Sequence, residues 1–507
     1  MNSSQQVQDV EPSFSRSKPA LRFLVLGLLI AAGSWLRFHD LGTKNVWIDE
    51  GVSIEMARLD WYNFLRILWR HEANMALYTV LLRGWLHFGQ SEAFIRSLSV
   101  LFGLATIPAI YVLGRRMFGE RAGMIAAFLL TVNAYHVRYA QEARSYELYP
   151  LLCILSSIYF LKFIEDPSRR NRIWHVTTSA LAVYAHFFAG FVVVAQWISL
   201  RFLDHDGLEK KFRRNWRDFA LAISPLVLFV LTTGTGVLRW IPRPRLADLA
   251  QTFIFFAGNG GVWLLLIYVA AVVVGLVAVR DWHKRRAGGM DWCYRYLLLW
   301  LLFPIFFVFL VSQFKHLYLA RYFIFCLPAL LLLVAAGLDR IRWRLVLALV
   351  LIAIGMLSLR GVQAYYEKDF DIGREDWRSA TRHVLDHAQP GDVLILHQPI
   401  GRMPYEYYCS RIRAGTYPMV IYPAHGDRLT FRDFYAGHAP DSFLQQAALT
   451  HPRVWVMLTY NNLPTGPDPT TQFIDQQFGR EYANEQTASF PGIEVRLYSR
   501  LGNTPAN

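Results

Sequence analysis

Long apolar runs recur from Leu21 to Leu359, separated by short loops rich in Arg and Lys. A helix needs about 20 apolar residues to cross the hydrocarbon of a bilayer, and its backbone polar groups must be satisfied within the segment. This repetition admits a polytopic α-helical membrane protein and excludes a soluble fold for that part of the chain. Composition agrees: of 507 residues, 54% are hydrophobic and only 18% charged, against about 25% charged in a typical soluble domain. After Arg360 the apolar runs stop and the sequence takes on soluble character.

The net charge of +14 does not point to nucleic acid. The basic residues sit in loops at 115–121, 162–172, 201–217, 280–295 and 340–344, where they act as orientation signals. Zinc-ligand spacing, a phosphate loop and a basic stripe with stacking aromatics are all absent from the sequence. The four cysteines, Cys153, Cys293, Cys326 and Cys409, do not form a disulfide framework. The first apolar segment reads as an uncleaved helix rather than a signal peptide, because many spans follow it.

Placing the basic loops in the cytoplasm predicts about eleven crossings. They fall at 21–36, 93–114, 120–135, 146–163, 173–186, 188–203, 218–239, 252–280, 293–313, 320–338 and 345–361. The expected organisation is a cytoplasmic N-terminal tail (1–20), a membrane module (21–361) with an outer loop at 37–92, and an extracytoplasmic α/β domain (362–507). Two places strain this map. Ile173 to Leu200 must cross twice, yet helices of about 14 residues rise only about 21 Å each. The third span is short in the same way. The turns at His186 and at Gln141–Tyr146 are therefore expected below the outer surface, lining a cavity open to the outside. Ionisable groups at such depth are functional candidates.

Within the outer loop, Asp60 to Arg70 has helical apolar spacing with aromatics, as in an interfacial helix capped by Asp60. In the tail, Asp376 to Ala388 is expected to be a helix. Asp392–His397, Arg453–Tyr460 and Ile493–Ser499 are expected to be strands.

Several short motifs follow in order: Trp47-Ile48-Asp49-Glu50 after the first span, His71 and Leu77-Tyr78, Leu113-Gly114-Arg115-Arg116, Tyr139-Ala140-Gln141-Glu142-Ala143-Arg144-Ser145-Tyr146, Ala185-His186-Phe187-Phe188, Arg321-Tyr322, and Glu375-Asp376-Trp377-Arg378. Together they resemble the bacterial branch of the GT-C glycosyltransferases related to dolichyl-phosphate-mannose–protein mannosyltransferases and the lipid A aminoarabinose transferase. The resemblance spans almost the whole chain, although Ala76 stands where relatives often carry Pro before Leu-Tyr.

The resemblance implies a membrane enzyme of the bacterial inner membrane. Its donor would be a polyprenyl-phosphate-linked sugar, and a lipid, glycan or protein would be the acceptor. Transfer would occur at the outer face with inversion. Asp49 is then the expected general base, its other reading being a cap on the helix that follows. Glu50 either orients Asp49 or serves as a favourable first-turn charge. Glu142 either completes a site for a divalent cation (Mg or Mn) with Asp49 or pairs with Arg138 or Arg144.

Arg144 matches phosphate in geometry. Lys315 and Arg321, at the outer ends of adjacent spans, are further phosphate candidates, unless they only snorkel. Tyr146, Tyr322 and His186 are expected to touch the donor. His71 and Tyr78 are expected at the acceptor side or in the loop. A flippase for a lipid-linked saccharide would share the cavity and the basic groups, but such transporters often show paired internal repeats, which this sequence does not. A receptor acting through its tail is a third possibility.

Overall fold

The computed structural model of the chain describes residues 19–70, 72–203, 208–233, 241–283, 290–368, 374–412, 418–423, 429–430, 432–459, 462–463 and 466–500. The membrane module begins with α1 (Pro19–Phe38). The outer loop holds α2 (Ile48–Arg58), α3 (Trp61–Arg70) and α4 (Ala76–Trp85). Then come α5 (Glu92–Phe118), α6 (Glu120–Val132), α7 (Ala134–Ala140), α8 (Leu148–Glu165), α9 (Arg169–Ala185), α10 (Gly190–Ser199) and α11 (Leu208–Thr233). The module closes with α12 (Leu246–Phe256), α13 (Val262–His283), α14 (Met290–Val311), α15 (Leu327–Leu338) and α16 (Arg344–Glu367).

Among the described residues, seven helices are long and apolar enough to cross a membrane, and three shorter apolar helices accompany them. Every residue of α15 is buried. By contrast, α16 exposes Leu345, Leu349, Ile352, Met356 and Leu359, as a lipid-facing helix does.

The short third span has a visible cause. α6 stops at Asn133, whose side chain accepts from the His136 amide and starts α7. The Asn133 amide also donates to the Phe256 carbonyl, 2.8 Å away. The predicted single span 252–280 is in fact two helices. Gly258 (φ +73), Asn259 (φ +53) and Gly261 (φ +83) adopt left-handed backbone between α12 and α13, a conformation a helix cannot continue through. α9 ends at His186, whose Nδ1 accepts from the Phe188 amide.

In the outer loop, Asp60 accepts from the Asn63 amide at the start of α3. Phe64 and Ile67 of α3 are buried, while Trp61, Tyr62, Leu65 and Trp69 face outward. That outward face is aromatic and apolar, as an interfacial helix requires.

The tail carries α17 (Trp377–His387), α18 (Arg402–Ile412), α19 (Asp441–Thr450) and α20 (Pro469–Glu481). Its five-stranded sheet has the order β2-β1-β3-β7-β6. β1 (Val393–His397), β2 (Met419–Tyr422) and β3 (Arg453–Thr459) are parallel, whereas β6 (Asn484–Phe490) and β7 (Ile493–Ser499) add antiparallel. A small hairpin joins β4 (Asn462–Leu463) to β5 (Gly466–Pro467). Asp376 caps α17 by accepting from the Ser379 amide.

One sheet face packs a core with Leu444, Ala447, Ile474 and Phe478 of α19 and α20. The other, through Leu394, Leu396, Trp455 and Met457, joins the same continuous core as the membrane helices. The tail is thus packed onto the module. At Gly51 a Cβ would lie 2.9 Å from Pro404, so only glycine allows α2 and α18 to approach this closely. α16 continues past residue 361 to Glu367, carrying the module into the tail without a break at the expected boundary.

Candidate active site

Asp49 lies in the first turn of α2, but it is not the cap. That position is Trp47, which makes no side-chain capping bond. The capping alternative for Asp49 therefore fails, and its carboxylate is partly exposed. Asp49 Oδ2 lies 3.4 Å from Arg321 Nη2 and 3.9 Å from Arg144 Nη2, with the side chain about a quarter exposed (28%). Arg144 Nη1 also donates to the Asp49 carbonyl (3.2 Å) and to Ser53 Oγ (2.9 Å). Two guanidiniums from distant segments thus hold one accessible carboxylate.

Glu50 turns the other way. It is fully buried, and Arg96 grips it with two parallel bonds, Nε to Oε1 at 2.8 Å and Nη2 to Oε2 at 2.7 Å. Glu50 Oε1 also accepts from the Ala143 amide at 2.8 Å. Arg96 further donates to the carbonyls of Leu41, Lys44 and Asn45. Burial alone would push the Glu50 carboxyl up. The charge and hydrogen bonds of Arg96, with Arg374 and the Ala143 amide, more than offset that and hold it below the usual range. Glu50 thereby fastens the 141–147 loop to α2.

The same loop places the other predicted residues. Glu142 is fully buried, with Oε1 accepting from Arg374 and lying 3.6 Å from Arg138 Nε. Tyr146 is fully buried, and its hydroxyl finds no hydrogen-bond partner among the described residues. It shares the electrostatic surroundings of Arg321 and Arg144. A buried phenol without a partner is costly, which fits a donor reserved for a ligand.

His186 is equally buried. Its Nδ1 accepts from Phe188, which assigns the proton of the neutral ring to Nε2, and Nε2 has no partner among the described residues. The ring stacks on Tyr149 at 4.8 Å and meets Tyr322 at 5.2 Å. Tyr322 is thus brought to the site, beside Arg321.

The remaining candidates fare differently. Lys315 is exposed and forms no ion pair among the described residues. Tyr78 is not an acceptor-side group, because it is buried with its hydroxyl 2.8 Å from Ser99 Oγ, and Ser99 in turn donates to the Arg144 carbonyl. His71 lies outside the described residues.

The described residues do not assemble the divalent-cation site expected at Asp49 and Glu142. Asp49 and Glu142 are each met by guanidiniums, and no group of three or more His, Cys, Asp or Glu side chains is poised for an ion among the described residues. The positive charge a divalent cation would supply is already provided by arginine.

Further residues of the site were missed from sequence. Arg374 joins the site from the start of the tail, with Cζ 5.2 Å from the Trp47 ring, while Arg321 Cζ lies 5.4 Å from the same ring. Arg96 was visible as an ionisable residue inside an apolar run. Glu72 has burial raising its carboxyl to about 7, with Arg144 opposing and Asp49 adding to the rise. Beneath the loop, Glu147 Oε2 lies 2.9 Å from His136 Nε2, and His136 Nδ1 lies 3.0 Å from Arg37 Nη2. Gly103 makes room there, since a Cβ would sit 2.9 Å from Glu147 Oε2.

Comparison with known proteins bears on this arrangement. Residues 76–232 match the family model described as dolichyl-phosphate-mannose-protein mannosyltransferase. A search of curated proteins finds no match. Among solved structures, ArnT from Cupriavidus metallidurans bound to undecaprenyl phosphate is 14% identical, with a TM-score of 0.64 over 97% of this chain and 100% of that one. The archaeal oligosaccharyltransferase AglB from Archaeoglobus fulgidus, in complex with an inhibitory peptide and a dolichol-phosphate, is 11% identical, with a TM-score of 0.54 over 96% and 75%. The Archaeoglobus fulgidus oligosaccharyltransferase in complex with Zn and sulfate is 13% identical, with a TM-score of 0.51 over 85% and 67%. Residues 76–232 thus match the mannosyltransferase family model, and nearly the whole length has an ArnT-like fold.

Proposed function

We propose that the protein transfers a sugar from a polyprenyl-phosphate donor to an acceptor at the outer face of a bacterial inner membrane, with inversion. The observation that carries this reading is the Asp49 carboxylate, accessible and flanked by Arg321 at 3.4 Å and Arg144 at 3.9 Å. A reaction that moves a proton and releases a phosphate in one displacement needs a carboxylate and fixed cations side by side. In this reading the acceptor hydroxyl attacks the anomeric carbon while its proton passes to Asp49. The bond from that carbon to the phosphate oxygen breaks, and the electron pair leaves with the polyprenyl phosphate.

Arg144 and Arg321 bind the departing phosphate. Tyr146 and the Nε2–H of His186 supply hydrogen bonds to phosphate or sugar. Glu142, held by Arg374 and Arg138, keeps the loop in place, and no step passes through a metal ion. In this reading the N-terminus is inside and the tail outside, and the site lies at the level of a lipid phosphate. An Arg- and Tyr-lined cavity there takes the donor without lifting its prenyl chain out of the bilayer. Undecaprenyl phosphate bound to ArnT and dolichol-phosphate bound to AglB support a donor of this kind.

The test uses purified protein in proteoliposomes with a panel of undecaprenyl-phosphate sugars and an envelope extract as acceptor. The expected result is release of undecaprenyl phosphate that depends on the extract, with the sugar recovered in a new glycosidic bond. Movement of the lipid-linked sugar across the bilayer without a new bond contradicts the reading.

A further inference from the structure

We propose that Arg374, delivered by the tail, is a third guanidinium of the phosphate seat, so that the lipid phosphate binds across the junction of tail and membrane module. This inference rests on the donor assigned above. Arg374 touches both segments that build the site. Its Nη2 donates to Glu142, two residues before Arg144, and its Cζ sits 5.2 Å from the Trp47 ring, two residues before Asp49. Arg321 meets the same indole at 5.4 Å while reaching Asp49 at 3.4 Å. One tryptophan thus gathers a guanidinium from the membrane module and one from the tail, each in the favourable arrangement of a cation near an aromatic ring.

The three arginines are largely but not wholly covered, with side chains 18% exposed at Arg144 and Arg321 and 11% at Arg374. Glu142, the carboxylate that meets Arg374, is fully covered. Each of the three side chains therefore retains some exposed surface, and a guanidinium can meet phosphate oxygens with its planar fork.

Arg374 is not needed merely to fasten the tail. Other contacts do so: Arg378 to Glu92 (2.9 Å) and to the Gly42 carbonyl (3.3 Å), Asn45 to Asp376 (2.7 Å), and the packing of Gly51 on Pro404. This division of labour separates a binding role from a tethering one.

The experiment titrates undecaprenyl phosphate into the full-length protein in nanodiscs and reads affinity by native mass spectrometry for wild type, Arg374→Gln, Arg374→Lys and Arg378→Ala. Melting temperatures without ligand confirm folding; if Arg374→Gln does not fold, Arg374→Lys against wild type is the deciding pair. Arg374→Gln is expected to weaken binding tenfold or more. Arg374→Lys, which keeps charge but loses the planar fork, should weaken it severalfold, and Arg378→Ala should bind within twofold of wild type.

A folded Arg374→Gln that binds within twofold of wild type overturns the proposal, as does an equal loss in Arg378→Ala, which would assign both to tail docking. If Arg374→Lys decides, affinity within twofold of wild type overturns it in the same way. If excess phosphatidylglycerol in the nanodisc abolishes the Arg374 effect, the seat belongs to ordinary headgroups and the proposal falls. If wild type does not bind undecaprenyl phosphate, the donor assignment fails and this inference with it; binding in wild type that is unaffected at Arg374 removes this inference alone.

Discussion

Arg96 and Glu50 form a fully buried two-bond ion pair, 2.8 and 2.7 Å long, directly beside the solvent-accessible Asp49. Adjacent carboxylates in sequence thus have opposite fates, one locked inward as a strut and one turned outward toward arginines. Removing one partner of a buried pair leaves an uncompensated charge and costs about 3–5 kcal/mol. Arg96→Ala should therefore lower the melting temperature in detergent by many degrees and abolish activity through unfolding. Asp49→Asn should melt within a few degrees of wild type. Similar melting of the two variants would show that the strut assignment is wrong.

Gly51 sets how closely α2 approaches α18, and it is two residues from Asp49. An added methyl would meet Pro404 at 2.9 Å on both Cδ and the backbone nitrogen. Overpacking of this kind costs about 1–3 kcal/mol. Gly51→Ala is expected to reduce transfer at least severalfold while the protein stays folded, as read by initial rates and melting temperature side by side. Unchanged rates would mean that the tail contact does not position Asp49.

Glu72 provides a pH handle. Burial lifts its carboxyl from 4.5 to about 7, with Arg144 opposing and Asp49 adding to the rise. The folded pKa lies above the unfolded one, so the folded state holds the extra proton between them. Its contribution to stability is complete below about pH 4.5 and declines as pH rises toward and through about 7. Glu55, also raised to about 7 by burial and opposed by Arg58, acts in the same direction. Each of Glu72→Gln and Glu55→Gln should flatten part of the decline in melting temperature from pH 5 to 8. A slope unchanged in both variants would remove these groups from the pH response.

The outward face of α3 tests the membrane setting. Trp61, Tyr62, Leu65 and Trp69 are exposed there while Phe64 and Ile67 are buried. In a bilayer that face meets lipid, and burial of a leucine side chain is worth about 1.5–3 kcal/mol. Replacing Trp61 and Trp69 with Phe should remove a large part of the tryptophan fluorescence quenched by lipids brominated near the headgroup. Quenching that is unaffected by the double replacement would take α3 off the membrane surface.

Much of this was legible in the sequence because membrane burial leaves strong marks. The apolar runs fall on helices among the described residues, seven of them long and apolar enough to cross a membrane and three shorter, rather than on eleven separate spans. The Asn133 break and the His186 turn account for the shortness of the helices before them. What periodicity could not see was contact between distant segments. Nothing local marks Arg374 as a neighbour of Glu142, since the pair is made only when the tail folds back onto the module. The same holds for Glu50, whose inward turn depends on Arg96 forty-six positions away. The split of the 252–280 span was written in Gly258-Asn259-Gly260-Gly261, but an apolar average over the window conceals a local break. In the tail, β1, β3, β7 and α17 announced themselves by pattern, whereas exposed β6 has none: its sequence Asn-Glu-Gln-Thr-Ala-Ser-Phe is an antiparallel edge that draws its order from β7.

The central claim is that Asp49 takes the acceptor proton while Arg144 and Arg321 hold the lipid phosphate. The most direct measurement compares wild type and Asp49→Asn for two quantities in one preparation, undecaprenyl phosphate affinity and the rate of sugar transfer to the acceptor extract. The account predicts a rate at least 100-fold lower in Asp49→Asn, equivalent to about 2.7 kcal/mol of lost transition-state stabilisation, with affinity within threefold. A rate within twofold of wild type would contradict it.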